Sequence, residues 1–309
     1  MLQNAVPRLF NIAGKVFVLG EYAVLAGRPA LVASVGPRFS LSMGGTRLFD
    51  EQSPAGRLLK WARSQGASTT ELRFTFGDPH GGLGGFGCST AQFALVYSAL
   101  ADDLKWPQEW EHVWRLYRDL MGDAGALTPS GADLVAQWCG GVSLFDPSAI
   151  QCVDVWSSLA WGNLIVFSAT GQPGRKVPTH EHLQALSRSG GFMGPNDELL
   201  HVLEEPLIRG IAAVRDSDFG GLGQAMTEYA DVLWNKDLEA PAAHEDRRVL
   251  SALPGVLGVK GAGALLSDAI LVLMSPRSEG REELIAAAAK RGLRLVANGL
   301  SPESGVIAR

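Results

Sequence analysis

The stretch Gly81–Leu100, GGLGGFGCSTAQFALVYSAL, places five glycines within seven residues directly before an apolar run. Upstream, residues 72–76 alternate between apolar and polar side chains, which predicts a half-buried strand. Downstream, small and apolar residues recur at helical spacing over residues 91–99. The stretch therefore predicts a strand, a glycine loop and the N-terminus of a helix.

This glycine loop has features that suit an anion. Glycine lets the backbone approach a ligand closely, and the N–H groups and dipole of a helix N-terminus favour negative charge. The first turn, Ser89 to Gln92, contains no Asp or Glu. The pattern matches neither the P-loop nor a dinucleotide fingerprint. A turn packed tightly on a neighbour is the alternative interpretation of the glycines.

The composition narrows the class of protein. A net charge of −5 without basic clusters argues against binding to nucleic acid or a membrane surface. Its 309 residues suggest about two domains. Three widely spaced cysteines indicate neither a disulfide framework nor a zinc site, and no secretory signal or apolar run of about 20 residues is evident. We expect a soluble, cytoplasmic, globular protein.

The remaining pattern alternates irregularly between strands and helices. Strands are predicted over 8–19, 31–35, 39–43 (paired beside 31–35), 142–145, 163–169, 256–260, 269–274 and 293–297. Helices are predicted over 55–66, 110–120, 179–188, 196–215, 217–235, 243–252 and 279–290, with a further helix opened by residues 128–133. This order predicts a mixed α/β fold with antiparallel pairing rather than a doubly wound parallel sheet.

Four separated stretches together resemble motifs of the GHMP kinases, the superfamily of galactokinase, homoserine kinase, mevalonate kinase and phosphomevalonate kinase. They are AGKVFVLGEYAV at 13–24 with GRPAL at 27–31, GFGCSTA at 85–91, PSGAD at 129–133 and GAG at 261–263. They occur in family order and span nearly the whole chain. Three departures stand out: Ala13 in place of Pro, Cys88 in place of one serine, and GALLS at 263–267 in place of a glycine run.

The resemblance implies a fold and a domain division. The fold is α/β of the α+β type, with mixed or antiparallel sheets, helices and an active site in the cleft between two domains. An N-terminal domain, 1–160, would contain the ATP-phosphate loop and the catalytic aspartate. A C-terminal domain would span 161–309.

By the same resemblance, Asp133 is the base that deprotonates the acceptor hydroxyl, and Lys15 stabilises the charge of the transition state. Electrostatic stabilisation and positioning dominate phosphoryl transfer, so one fixed cation matters. The alternative for Asp133 is structural, because Ser130-x-x-Asp133 is also the pattern of a capping box.

The resemblance also implies ATP and Mg²⁺ as cofactors. The residues expected to bind the nucleotide are Gly82, Gly84, Gly85, Gly87, Cys88, Ser89 and Thr90. Mg²⁺ would take the Ser89 hydroxyl and a carboxylate from Asp119 or Asp123, between which the spacing does not decide. Helix capping is the alternative for Ser89.

The acceptor pocket is expected to involve Glu21, Tyr22, Ser130, Gly131, Gly261, Ala262 and Gly263. Tyr22 could equally be a half-buried aromatic residue. Arg175 and Lys176 suit either an anionic substrate group or a solvated loop, and His180 with His182 makes a poor metal site.

The expected function is transfer of the γ-phosphoryl group of ATP to mevalonate, a step of isoprenoid precursor synthesis. The G-E-Y-A-V stretch at 20–24 resembles phosphomevalonate kinases and keeps that acceptor open, with sugars further away. A catalytically silent nucleotide- or metabolite-binding homologue is the rival from another class. The sequence does not indicate the oligomeric state.

Overall fold

The structure is a computed structural model. It describes residues 8–69, 72–122, 128–154, 161–169, 198–301 and 303–308. The predicted helix 179–188 lies outside the described residues, as do Asp123, Arg175, Lys176, His180 and His182.

The first sheet has six strands in the described part of the chain. They are β1 (Leu9–Leu19), β2 (Ala30–Arg47), β3 (Phe74–Gly77), β4 (Val142–Asp146), β5 (Gln151–Asp154) and β10 (Ile307–Ala308). Their order is β10-β1-β2-β4-β5, with β3 also paired to β2. β1 is paired on both edges and buried at every position after Leu9, as its apolar sequence requires.

Among the described residues the second sheet has four strands, in the order β7-β8-β6-β9. They are β6 (Leu164–Ala169), β7 (Val256–Ala262), β8 (Ala269–Met274) and β9 (Leu293–Asn298). The paired strands of both sheets are antiparallel, which confirms the fold class expected from the sequence.

Eight α-helices accompany these sheets among the described residues. They are α1 (Pro54–Ser64), α2 (Cys88–Leu104), α3 (Trp110–Met121), α4 (Ala132–Cys139), α5 (Glu198–Arg215), α6 (Phe219–Asn235), α7 (Pro241–Ser251) and α8 (Arg281–Lys290). The small and apolar residues of α2 are buried from Thr90 to Ala101, so this helix lies inside the molecule. No helix in the described ranges has the length and apolarity needed to cross a bilayer.

The prediction of two neighbouring strands over 31–35 and 39–43 was wrong. Both segments belong to β2, and both pair with β1: Val35 lies opposite Gly14, and Phe39 lies opposite Ile12. The pair Gly36-Pro37 lies between the two segments, and its proline cannot donate to a ladder. The chain passes this pair with a register shift between Ile12 and Gly14 and remains extended.

The two sheets share one hydrophobic core. Its buried residues include Val16 and Val18 of β1, Phe93 of α2, Leu271 of β8 and Tyr229 of α6. The end of the chain also returns to the first sheet, because β10 pairs with β1. The division into domains at 160/161 therefore stays a prediction.

Arg38 of β2 holds this returning segment in place. Its guanidinium donates to the Ser301 hydroxyl (3.1 Å) and to the carbonyl oxygens of Glu303 (2.7 Å) and Gly305. It also donates to the side chain of Asn11 (2.5 Å) and to its carbonyl (3.2 Å). The planar fork of arginine thus connects β1, β2 and the segment before β10.

We expect Arg38→Met to lower the free energy of unfolding by about 2–4 kcal/mol, because hydrogen bonds from charged groups contribute about 1.5–3 kcal/mol each and their losses do not add fully. Urea denaturation measures this change. Arg248→Met is the control, since it removes an exposed pair with Glu245 and should change the free energy of unfolding much less. Equal losses in the two variants would contradict the role given to Arg38.

Candidate active site

The glycine loop is fixed beside β1. The backbone N–H of Lys15 donates to the Phe86 carbonyl (3.1 Å), and α2 begins directly after Gly87, which has φ 78°. A Cβ at position 87 would lie 3.0 Å from Cγ of Lys15, so a side chain here would crowd the lysine. The first turn of α2 carries no acidic residue and no side-chain cap. This arrangement suits the phosphates of a nucleotide.

Two further contacts shape the loop. The N–H of Gly82 donates to the carboxylate of Asp78 (2.8 Å), so it is already engaged. The hydroxyl of Thr90 donates to Gln137 of α4 (2.6 Å), which in turn donates to the Ala13 carbonyl (2.9 Å). Gln137 is fully buried, and nothing in the sequence motifs marked it. The Thr90 side chain therefore secures the loop from inside.

The ammonium of Lys15 lies 3.1 Å from the Asp133 carboxylate. The Lys15 side chain is 7% exposed and that of Asp133 is 33% exposed, so the pair lies at the edge of the interior. The Lys15 ammonium also lies 5.0 Å from the centre of the Phe17 ring. The structure thus brings Asp133, Lys15 and Gly87 into one place.

The capping-box alternative for Asp133 was wrong. The N-cap of α4 is Gly131, with φ 76°, and the Ser130 hydroxyl accepts from the Ala132 N–H (3.3 Å). Asp133 lies in the first helical turn, where the helix dipole favours a carboxylate. The capping alternative for Ser89 was wrong as well, because Gly87 is the N-cap of α2.

Helix α3 holds the turn that precedes Asp133. Trp114 donates from its indole N–H to the Ser130 carbonyl (2.8 Å), and a Cβ on Gly131 would lie 2.6 Å from the Trp114 ring. Burial raises the pKa of Tyr117, and the charge of Asp133 raises it further. The turn at Ser130 and Gly131 is therefore packed against an aromatic face that fixes the start of α4.

Glu21, at the end of the first motif, pairs with Lys260 of β7. The Lys260 ammonium donates to the Glu21 carboxylate, and the Tyr229 hydroxyl donates to the Glu21 carbonyl (2.5 Å). Burial raises the pKa of Glu21 and the Lys260 charge lowers it in part, while burial lowers the pKa of Lys260 and Glu21 raises it in part. No sequence motif marked Lys260, although a lysine at the end of the apolar stretch before Gly261 indicates a charged partner in the interior.

Tyr22 is buried rather than half-buried. It is 5% exposed and has φ 64°, a strained value for a tyrosine. Burial raises the pKa of its hydroxyl, and a hydrogen bond with the backbone of Leu265 lowers it in part. Tyr22 therefore connects the end of the first motif with the late loop.

The late glycines are required by packing. A Cβ on Gly261 would overlap Leu266, and a Cβ on Gly263, which has φ 89°, would overlap the Asp268 carboxylate. Asp268 also lies close to the first glycine loop, since a Cβ on Gly85 would lie 2.9 Å from the Cβ of Asp268. Ala262, between the two glycines, is buried. The sequence analysis did not single out Asp268, which contacts both glycine loops.

Of the three residues expected to hold Mg²⁺, the structure describes Ser89 and Asp119. Ser89 is exposed in the first turn of α2. Asp119 is exposed on a face of α3 different from that of Trp114 and Tyr117. Within the described ranges, no cluster of three or more His, Cys, Asp or Glu side chains could hold a metal ion. The donor set fits an ion held mainly by phosphate oxygens and water.

A cavity of about 350 Å³ lies elsewhere in the first sheet region. Its lining includes Phe10, Ser98, Asp102, Trp138 and Ser304. Ser98 and Asp102 lie towards the C-terminal end of α2, whereas the glycine loop lies at its start. None of the residues expected from the sequence to form the site lines this cavity.

No protein-family profile and no curated protein matches the chain. Among solved structures, it is similar to phosphomevalonate kinase of Streptococcus pneumoniae, at 14% identity and TM-score 0.75 over 99% of this chain and 100% of that one. It is also similar to mevalonate kinase of Methanococcus jannaschii, at 12% identity and TM-score 0.72 over 100% of this chain and 98% of that one. Galactokinase of Lactococcus lactis, complexed with galactose, is similar at 12% identity and TM-score 0.75 over 97% of this chain and 95% of that one. The chain has the fold of the GHMP kinases, the superfamily that its motifs resemble.

Proposed function

We propose that this chain is an ATP- and Mg²⁺-dependent kinase that transfers the γ-phosphoryl group to a hydroxyl of a small molecule. One observation carries the proposal: the Lys15 ammonium lies 3.1 Å from the Asp133 carboxylate, and Lys15 contacts the position where Gly87 opens α2. A carboxylate, a cation and a phosphate-binding backbone therefore meet at one site. The fold shared with known phosphotransferases supports the same activity.

The chemistry follows from these three parts. Asp133 accepts the proton of the acceptor hydroxyl as its oxygen attacks phosphorus. Lys15 neutralises charge that develops on the transferred group, which is where electrostatic stabilisation acts. The buried position of Lys15 strengthens this interaction, because water screens it little.

The nucleotide phosphates bind to the backbone N–H groups at the start of α2, between Gly87 and Thr90. Mg²⁺, when bound, would neutralise part of the charge of the phosphates. Ser89, whose side chain is exposed in the first turn of α2, is the hydroxyl that we propose as a ligand of the ion. Asp119 and Asp123 remain the candidates for a carboxylate ligand, though Asp119 faces solvent.

Mevalonate is the acceptor that we favour, with phosphomevalonate as the second candidate. Lys15 and Lys260 are each paired with a carboxylate, so these two lysines leave no surplus positive charge for a second phosphate. Of the two acceptors, mevalonate carries less negative charge. The G-E-Y-A-V stretch and the similarity to a phosphomevalonate kinase fold keep the phosphorylated acceptor open.

A silent binding protein on this scaffold is a further candidate, and one contact favours it. The Asp268 carboxylate lies against Gly84 and Gly85, where it opposes the approach of phosphate. The Lys15–Asp133 pair favours catalysis instead. We also propose that the protein acts in the cytoplasm, since Cys88, Cys139 and Cys152 are free thiols.

Release of ADP across a panel of acceptors tests the activity itself. The panel contains mevalonate, phosphomevalonate, homoserine and several sugars, assayed with ATP and Mg²⁺. Turnover of mevalonate at the highest kcat/KM supports the proposal, and a higher value for phosphomevalonate selects the second candidate. Bound nucleotide without turnover of any acceptor would favour the silent homologue.

Asp133→Asn tests the base. It keeps the volume of the side chain but removes its charge and basicity, so we expect kcat to fall by about 10²–10⁴-fold. The affinity for ATP should change little, because the nucleotide contacts lie in the glycine loop. Steady-state kinetics and a melting curve measure both effects.

Asp218→Ala is the matched control for that variant. Asp218 caps α6 by accepting from the Gly221 N–H (3.0 Å), so its loss should cost about 1 kcal/mol of stability and leave turnover normal. If Asp133→Asn behaves in the same way as this control, Asp133 is not the base.

Gly87→Asp tests the phosphate loop against Gly87→Asn. Both side chains tolerate positive φ and cap helices well, so the two variants should have similar melting temperatures. Only the aspartate adds a negative charge where the phosphates would bind. We expect at least about 10-fold weaker ATP binding by Gly87→Asp than by Gly87→Asn, measured by calorimetry. Equal affinities would exclude phosphates from this helix terminus.

A further inference from the structure

Lys260 is a fully buried lysine with a complete set of hydrogen-bond acceptors. Its ammonium donates to the carboxylate of Glu21 and to the carbonyl oxygens of Gly261 (2.7 Å) and Phe17 (3.4 Å). An ammonium has three N–H donors, and these three acceptors use them all. Lys260 therefore has no donor left for a ligand, and its role must act through the groups that it binds.

Glu21 is held firmly but incompletely. Lys260 binds Oε1, and the Tyr229 hydroxyl fixes the carbonyl of the same residue. The Glu21 side chain is 9% exposed. Its second carboxylate oxygen, Oε2, is buried and accepts no hydrogen bond from the described residues. A buried acceptor without a donor costs about 1–3 kcal/mol, and more when it is charged. This oxygen therefore keeps its capacity to accept a further hydrogen bond.

The Glu21–Lys260 pair and the Lys15–Asp133 pair both lie beside Phe17, whose carbonyl accepts from Lys260 (3.4 Å) and whose ring centre lies 5.0 Å from the Lys15 ammonium. Burial is the main influence on the pKa of Glu21 and of Lys260, and the charge of Lys15 acts on both groups. Lys15 itself contacts Asp133 at 3.1 Å. Lys15 lies on β1, Asp133 on α4 and Glu21 in the turn after β1, whereas Lys260 lies on β7 of the second sheet.

We infer that Lys260 is a positioning residue for acceptor binding: it holds the Glu21 side chain in place through Oε1, and Oε2 accepts a hydrogen bond from a hydroxyl of the acceptor. The inference rests on the proposed function, because it assigns the unpartnered oxygen to the acceptor. The second sheet then contributes to the acceptor pocket through a side chain that never touches the acceptor. Lys260, directly before the late motif, has this positioning role, while the glycines of the motif are required by packing.

Lys260→Met, Glu21→Gln and the double variant test this role. Removal of Lys260 alone leaves a buried, unpaired carboxylate, so both stability and acceptor binding should fall. We expect the KM for the acceptor to rise at least about 10-fold, with the KM for ATP within about 2-fold of the wild type. Glu21→Gln should raise the acceptor KM similarly.

The double variant separates positioning from structural support. It removes both buried charges, and replacing a buried ion pair by neutral groups is often nearly neutral for stability. We therefore expect its melting temperature to recover towards that of the wild type, while the acceptor KM stays at least about 10-fold raised. This variant keeps the test usable if Lys260→Met does not fold.

Arg291→Met is the control for loss of a buried ion pair. Arg291 follows α8 and pairs with the buried carboxylate of Asp246 on α7. This variant should lower the melting temperature without changing the acceptor KM.

A folded double variant with the wild-type acceptor KM would overturn the inference and leave the kinase activity standing. A wild-type protein that turns over no acceptor would overturn the proposed function and, with it, this inference.

Discussion

A buried lysine requires a carboxylate partner, and this chain buries two lysines at one site. An isolated charge is far too costly in the interior, and breaking a buried pair costs about 3–5 kcal/mol. Lys15 meets this requirement with Asp133 at the start of α4, and Lys260 meets it with Glu21 in the turn after β1. The two pairs therefore fix α4 against β1 and β7 against the turn after β1. Charge compensation in the interior positions the elements that carry the candidate chemistry.

Local patterns predicted much of the fold, because apolar periodicity is a short-range signal. The central strand–loop–helix unit, β1 and most helices are where the pattern placed them, within a few residues. Other features depend on partners distant in sequence. The continuity of β2 through Gly36-Pro37 requires β1 alongside, and the short strands β5 and β10 have sequences too brief to show a period. The proximity of Lys15 and Asp133 was expected only from the family resemblance.

The late glycine loop shows why a motif alone could not assign a role. Glycine is needed wherever another group approaches the backbone closely, whether that group is a ligand or a side chain. At Gly261 the neighbour is Leu266, and at Gly263 it is Asp268. From the motif alone, Gly261 and Gly263 were both expected to contact a ligand. Only the packed structure distinguishes the two kinds of neighbour. In it the glycines contact side chains of this chain, and Lys260 binds the Glu21 carboxylate.

The pairing of β10 with β1 has a consequence for how the chain is made. The four strands of the second sheet lie in sequence between β5 and β10, so the second sheet is inserted into the first. During synthesis β1 emerges early, yet its β10 partner follows almost 300 residues later. Until then Phe10 and Asn11 of β1 have no strand partner on that side, and open strand edges can pair with other chains. The first sheet can therefore gain its last strand, β10, only after all the strands of the second sheet have been translated.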